Sequence, residues 1–473
     1  GVSSSDTGEG TVSPSSLTFT NSNWSTAQTV TVTGVDDNTT DGNQSYTVVL
    51  AAASSSDSNY NNLNPSDISL SNLDDEWDGA KQTGSSKSDQ PYGIAVDSRS
   101  NIYVAGRTYG NMDGNSDPYS TSPDIILLKY SFQGSIQWLK QVGDDLTYEE
   151  SHGVAIDSSD NVFITGWAYS ALNGVASNGS GEMFLVKYNS AGVIQWTELM
   201  GTTEGSVGYD VAVDSSGNAY VTGYTSGTLD GTSAGMSDIF LVKYNSSGVK
   251  QWTRQLGANM HDYGYAVAVD SSGNAFVTGY TPGGLDGNSF QGINTPDTFL
   301  VKYNSSGTKQ WTAQVGEGAY NTGYDVTTDS SGNAYVTGYT FGTIDGLSNQ
   351  GGQDMFLMKY NSSGTRQWSR MLGTSEDNYG NGIALDSSNN IYVTGYTEDG
   401  LDGNSSAGEG DIFLVKYNSS GTKQWTVQHG TSANDYGQKI AIDANDYIYI
   451  LADGYGGIDG NTNAGSDDIY LIK

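Results

Sequence analysis

Residues 264–316 read GYAVAVD, SSGN, AFVTGYT, a polar stretch, DTFLVKY, NSSG and TKQWTAQVG, and this one stretch decides the fold. Apolar and β-branched residues alternate in four short runs, each bounded by Ser, Asn and Gly, so the stretch predicts four β-strands joined by turns. No helical period of useful length interrupts it. The unit recurs: its first strand ends at Asp97, Asp157, Asp214, Asp270, Asp329, Asp386 and Asp443, seven copies spaced 56–60 residues apart. A four-stranded unit repeated seven times suits a propeller, in which each blade buries both faces against its neighbours.

The seventh copy stops at Lys473, in the middle of its third strand. Trp138, Trp196, Trp252, Trp311, Trp368 and Trp425 mark the fourth strand of six units, and Trp77, in DDEWDGAKQTG, is expected to supply the seventh. An N-terminal outer strand would then close the ring and remove the free edges that invite aggregation. The expected architecture is all-β: a closed seven-bladed β-propeller of four-stranded blades over residues 76–473, preceded by a small β-sandwich-like module over residues 1–75.

The runs DSSGNAYVTGYT and DIFLVKYNSSG followed by Gln-Trp resemble the bacterial β-propeller repeat family abbreviated SBBP. That resemblance implies the propeller fold and a setting in large surface and secreted proteins, with no single activity. Residues 1–75 carry TVSPSSLTFT, QTVTVTGVDD, QSYTVVLAAAS and DISLSNLDDE, which resemble the later strands of a Calx-β or immunoglobulin-like surface module. The family's earlier strands have no counterpart after Gly1. The resemblance therefore implies an open edge, covered by an upstream module or by a strand from a neighbouring chain. It also implies calcium-binding acidic ends at Asp36, Asp37, Asp41, Asp74 and Asp75.

Of the 473 residues, 53 are Asp or Glu and 19 are Lys or Arg, a formal charge of −34 that argues against nucleic acid or an anionic membrane surface as partner. No apolar run approaches the ~18 residues of a membrane span. The absence of Cys excludes disulfides and thiolate chemistry, leaving oxygen ligands and three His for any metal. An acidic, Lys-poor composition rich in Ser, Thr, Asn and Gly fits an extracellular or cell-surface location.

Three residue sets could carry function. The Asp and Asn of the DSSGN turns, like the repeated Lys of the third strand, read as structural. The long loops carry L-D-G-N followed by an acid at the next strand, pairing Asp230 with Asp238, Asp286 with Asp297, Asp345 with Asp354, Asp402 with Asp411 and Asp459 with Asp468. Oxygen-rich spacing nominates two calcium sites: Asp113, Asn115, Asp117 and Asp124, with Pro118 where an EF-hand loop has Gly, and Asp459, Asn461, Asn463 and Asp468. The last set follows the second strand: Arg107, Trp167, Tyr224, Tyr280, Tyr339, Tyr396 and Asp453, expected to form a ligand-binding ring on the long-loop face. The His residues show no zinc spacing, and no catalytic residue is nominated.

These features favour a non-enzymatic surface protein, calcium-stabilised, that binds glycan or protein on the long-loop face. The alternatives are a calcium-dependent hydrolase or lyase acting on an anionic sugar or phosphoester, and a fibre subunit assembled by strand addition.

Overall fold

The computed structural model describes residues 1–35, 44–72, 77, 79–114, 122–143, 147–178, 180–231, 233–288 and 295–473. Two compact units divide the chain, Gly1–Asp78 and Gly79–Lys473.

In the first unit, strand Gln44–Leu50 pairs on one side with Val2–Ser4 and on the other with Ile68–Asn72, and a second, two-stranded sheet joins Gly10–Ser13 to Thr31–Gly34. Its core is small: Val2, Tyr46 and Val48 are buried among Val12, Leu17, Val30, Leu50 and Leu70.

The second unit holds seven four-stranded antiparallel sheets. In the third sheet the order is Ser206–Val213, Ala219–Thr225, Asp238–Tyr244 and Lys250–Leu256. Second and third strands are covered on both faces, which is why YVT and FLV runs persist without polar alternation. Phe163 and Leu185 of the second sheet pack with Val221 and Phe240 of the third, so the core is a series of interfaces between sheets. Thr222, buried in such an interface, donates from Oγ1 to the carbonyl of Phe240 at 2.8 Å and leaves no orphaned hydroxyl. Each first strand packs on the next, and the last, Asp435–Ile442, packs on the first, Asp89–Val96. The arrangement is propeller-like.

The repeated polar residues are fasteners. Asp214 Oδ1 accepts from the backbone N–H of Ser216 at 3.0 Å and of Asn218 at 2.9 Å, and Lys243 Nζ lies 3.5 Å from its other oxygen. Trp196 Nε1 donates to the carbonyl of Ser246 in the next sheet's NSSG turn at 3.3 Å. Gly248 closes that turn at φ +83°, and a Cβ there would stand 3.0 Å from the Trp196 ring.

The seventh sheet takes its fourth strand from Lys81–Thr83, which pairs with Asp468–Ile472. Its register sets Thr83 opposite Ile469, Gln82 opposite Tyr470 and Lys81 opposite Leu471. In the second sheet Trp196 stands opposite Lys187, three residues after Phe184, the counterpart of Tyr470. The same count assigns the tryptophan position of the seventh sheet to Gly79. Trp77 therefore lies outside the strand, two residues before the position expected for it.

Candidate functional site

Every first strand of the second unit breaks register at one place. The pairing jumps from Pro91 to Gly93, Ser151 to Gly153, Gly208 to Asp210, Gly264 to Ala266, Gly323 to Asp325, Gly380 to Gly382 and Gly437 to Lys439. The residues skipped are Tyr92, His152, Tyr209, Tyr265, Tyr324, Asn381 and Gln438. A bulge re-aims one side chain; here all seven line one cavity of ≈ 450 Å³, together with Tyr379, Tyr396, Tyr436 and Lys439. In six of the seven second strands the glycine two positions before the end makes room for the bulge, since a Cβ on Gly223 would stand 1.8 Å from the carbonyl oxygen of Val207; the seventh carries Ala452 there.

An almost unbroken arc of rings borders the cavity. Centroid separations run 4.9 Å from Tyr92 to His152, 5.1 Å to Tyr209, 5.2 Å to Tyr265 and 5.7 Å to Tyr324. Through Tyr339 the arc continues to Tyr379, Tyr396 and Tyr436, with the last two steps 4.5 and 4.7 Å. Of the seven residues expected to form a ring, Tyr396 lines the cavity. Tyr224, Tyr280 and Tyr339 are not among the lining residues, and each packs against the bulged tyrosine of its own sheet.

Of the remaining three, none of which is among the residues lining the cavity, Arg107 and Trp167 meet at Glu150. Arg107 Nη1 meets Glu150 Oε2 at 2.5 Å, and its Nε donates to Gln90 at 2.9 Å. Trp167 Nε1 donates to Glu150 Oε1, which also lies 3.0 Å from His152 Nε2. Burial favours the protonated carboxyl, but the His152 contact, the indole hydrogen bond and the Arg107 charge outweigh it and hold Glu150 at about 2. Asp453 has a different fate. It accepts a hydrogen bond from Gln438 Nε2 at 2.7 Å and faces no cation among the described residues.

Below the arc a second cavity of ≈ 170 Å³ shares Tyr92, His152, Tyr209, Tyr265 and Lys439 with the first. Here the repeat is broken. Positions that are Gly93, Gly153, Ala266 and Gly382 in four sheets become Asp210, Asp325 and Lys439 in the other three. Asp210 accepts from the N–H of Val267 and Asp325 from that of Ile383, so each holds the following sheet. Enclosure pushes Asp210 up to about 7, with Lys439 pulling it down and Asp325 pushing it further up.

Among the described residues the loop acids are engaged by protein donors. Asp459 accepts from the N–H of Ala80 at 2.7 Å and lies 3.0 Å from His429, whereas Asp468 accepts from Gln82 and the N–H of Ala464, both at 2.8 Å. Asn461 and Asn463 turn their NH₂ groups to carbonyls of Ala80 and Ile458, and of Tyr455 and Ser466. Elsewhere the loop acid pairs with the fourth strand: Asp286 with Lys309, Asp345 with Arg366, Asp402 with Lys423. The strand acids Asp238, Asp297 and Asp411 instead accept from Gln255, Gln314 and Gln428. Asp124 is held by Gln141 at 2.7 Å, while Asn115, Asp117 and the N-terminal Asp36, Asp37, Asp41, Asp74 and Asp75 lie outside the described residues. Among the described residues no three His, Cys, Asp or Glu side chains assemble into a metal site.

Comparison with known proteins adds relatives of broad kinds. An uncharacterized WD repeat-containing protein, L264, of Acanthamoeba polyphaga mimivirus is 24% identical over 496 residues, covering 79% of this chain and 36% of that protein. The regulatory protein FlaEY of Caulobacter vibrioides is 27% identical over 250 residues, 46% of this chain and 26% of its own length. The chain thus spans about a third or less of either relative. Among solved structures, a streptogramin B lyase covers 83% of this chain, and 96% of its own, at 11% identity and a TM-score of 0.46. A PL25 ulvan lyase gives the same coverage at 13% and 0.47. The model of the beta-propeller repeat SBBP matches residues 79–111, 137–172, 195–229, 251–286, 310–344 and 367–401. Each match starts within or just before a fourth strand and runs through the next sheet's first two strands into its long loop, so the chain carries six SBBP β-propeller repeats.

Proposed function

We propose that the seven sheets are the blades of a closed propeller and that the aromatic cup at its centre binds carbohydrate without turning it over. The observation that carries this reading is the arc of rings from Tyr92 to Tyr436 bordering one cavity that Asn381, Gln438 and Lys439 also line. The negative face of an aromatic ring attracts the weakly positive C–H face of a sugar, and Asn381, Gln438 and Lys439 can hydrogen-bond its hydroxyls. A volume of ≈ 450 Å³ is within the range of small-molecule pockets. The acidic, Lys-poor composition supports an extracellular or surface setting for this role.

Titration calorimetry against a panel of oligosaccharides tests it. Saturable binding lost in Tyr265→Ala and Tyr396→Ala is the expected result; absence of binding to every sugar by the folded protein would overturn it. The contact of His152, which lines the cup, with Glu150 favours one second reading, a lyase in which His152 moves a proton. Product formation during the same incubations, abolished by His152→Ala, would select that reading.

A further inference from the structure

Lys439 lines the cup, and around the cup carboxylates outnumber cations. Arg107 is committed to Glu150, and Lys439 lies 3.2 Å from Asp325, with Asp210 close enough to feel its charge. Asp453 is left over. It is 5% exposed, occupies in the seventh sheet the position where Tyr396 reaches the cup from the sixth, and is shorter by a phenol ring. Its holder, Gln438, lines the cup, and its charge is felt by Tyr92 and Tyr436, both lining residues. Asp467, 1% exposed, stands near enough to act on it electrostatically, and Asp467 Oδ2 is buried with no hydrogen-bond partner.

From this geometry we propose that the cup selects sugars carrying a free amine, with the ammonium seated at Asp453 between the Tyr92 and Tyr436 rings. The inference rests on the carbohydrate reading above and deepens it. A buried carboxylate without a cation is costly, and an arriving ammonium supplies one. Tyrosine faces around it add cation–π attraction. Burial pushes Asp453 up to about 7, with Gln438 pulling down and Asp467 and Asp435 pushing further up, as befits a site that lacks its positive partner. The charge of −34 over the whole chain draws cationic ligands in and repels sulfated or uronic chains.

Three oligomers of equal length separate the possibilities: glucosamine, N-acetylglucosamine and glucose. The expected result is that the glucosamine oligomer binds at least about tenfold tighter than the other two, and that Asp453→Asn removes this preference while leaving the weaker binding in place. Melting curves of the variant establish that it folds. Equal binding of all three would overturn the amine site while leaving the carbohydrate reading intact; no binding by any would overturn both. Tetralysine binding as tightly as the glucosamine oligomer, with the same loss in Asp453→Asn, would overturn the sugar assignment in favour of a basic peptide.

Discussion

Lys439 Nζ of the seventh sheet lies 3.2 Å from Asp325 Oδ1 of the fifth, so this ion pair joins two sheets that do not share an edge. The same ammonium stands 3.5 Å from the carbonyl of Tyr324. Because the partners are largely enclosed, removal of one leaves a charge without compensation. Lys439→Met is expected to cost about 2 kcal/mol, below the fully buried case because Lys439 keeps some solvent contact. Adding Asp325→Asn should recover part of that loss, and a double-mutant cycle by urea unfolding measures the recovery. Additive losses would mean that the pair does not couple the two sheets.

Gln82 is the fastener of the N-terminal strand. Its Nε2 donates to Asp468 at 2.8 Å and to the carbonyl of Gly456 at 3.1 Å, and its Oε1 accepts from the N–H of Ile458 at 3.2 Å. Asp468 Oδ1 already lacks a partner, so Gln82→Ala strips the carboxylate further and should cost about 1–3 kcal/mol. Trp77→Ala, outside the strand, should cost less. The order of the two melting temperatures checks the register, and the reverse order would restore Trp77 to the sheet.

That register was present in the sequence in a form other than tryptophan. Gln141, Gln255, Gln314 and Gln428 each precede a glycine by two residues and follow a tryptophan by three, and Gln82 precedes Gly84 in the same way. The repeat was legible because sheets covered on both faces demand unbroken apolar runs. The cup was only half legible. Tyr224, Tyr280, Tyr339 and Tyr396 follow the strand pattern, but the bulged residues sit where period-two alternation fails, and alternation carries no sign of a register jump. At Asp286, with φ 53°, L-D-G supplies a left-handed turn whose carboxylate finds a basic side chain on the fourth strand, a pairing that loop spacing does not display.

Those ion pairs bear on calcium. Asp286, Asp345 and Asp402 each face a Lys or Arg, so these loops already hold positive charge, and Asp459 is taken up by the N–H of Ala80 and the His429 ring. Melting in chelator should match melting after calcium is restored. A ligand that binds only the folded state at a hundredfold its Kd stabilises by about 2.7 kcal/mol, so a bound calcium would show as a clear upward shift. Such a shift, surviving Asp459→Asn, would direct attention to the loop from Asp113 to Asp124.

Stability should be greatest on the acid side of neutrality. Burial raises Asp89 and Asp262 to about 6 and Asp453 to about 7, and enclosure raises Asp210 to about 7. A carboxyl whose folded pKa exceeds its unfolded value of 3.8 binds its proton more tightly in the folded state. Between those two values the folded protein carries the extra proton, so stability falls as pH rises through the window and the loss is complete above about 7. Each unit of pKa difference is worth about 1.4 kcal/mol. Glu150 works in the opposite sense: held at about 2, it contributes stability that is present above its ordinary value of 4.5 and is lost as pH falls towards 2. The two trends together predict a melting temperature that rises from pH 8 to about pH 5 and declines below about pH 4. Asp453→Asn and Asp210→Asn should each flatten the slope between pH 5 and 8, because an amide has no proton to gain; calorimetric melts across that range measure it, and a melting temperature that climbs with pH would sink the assignment.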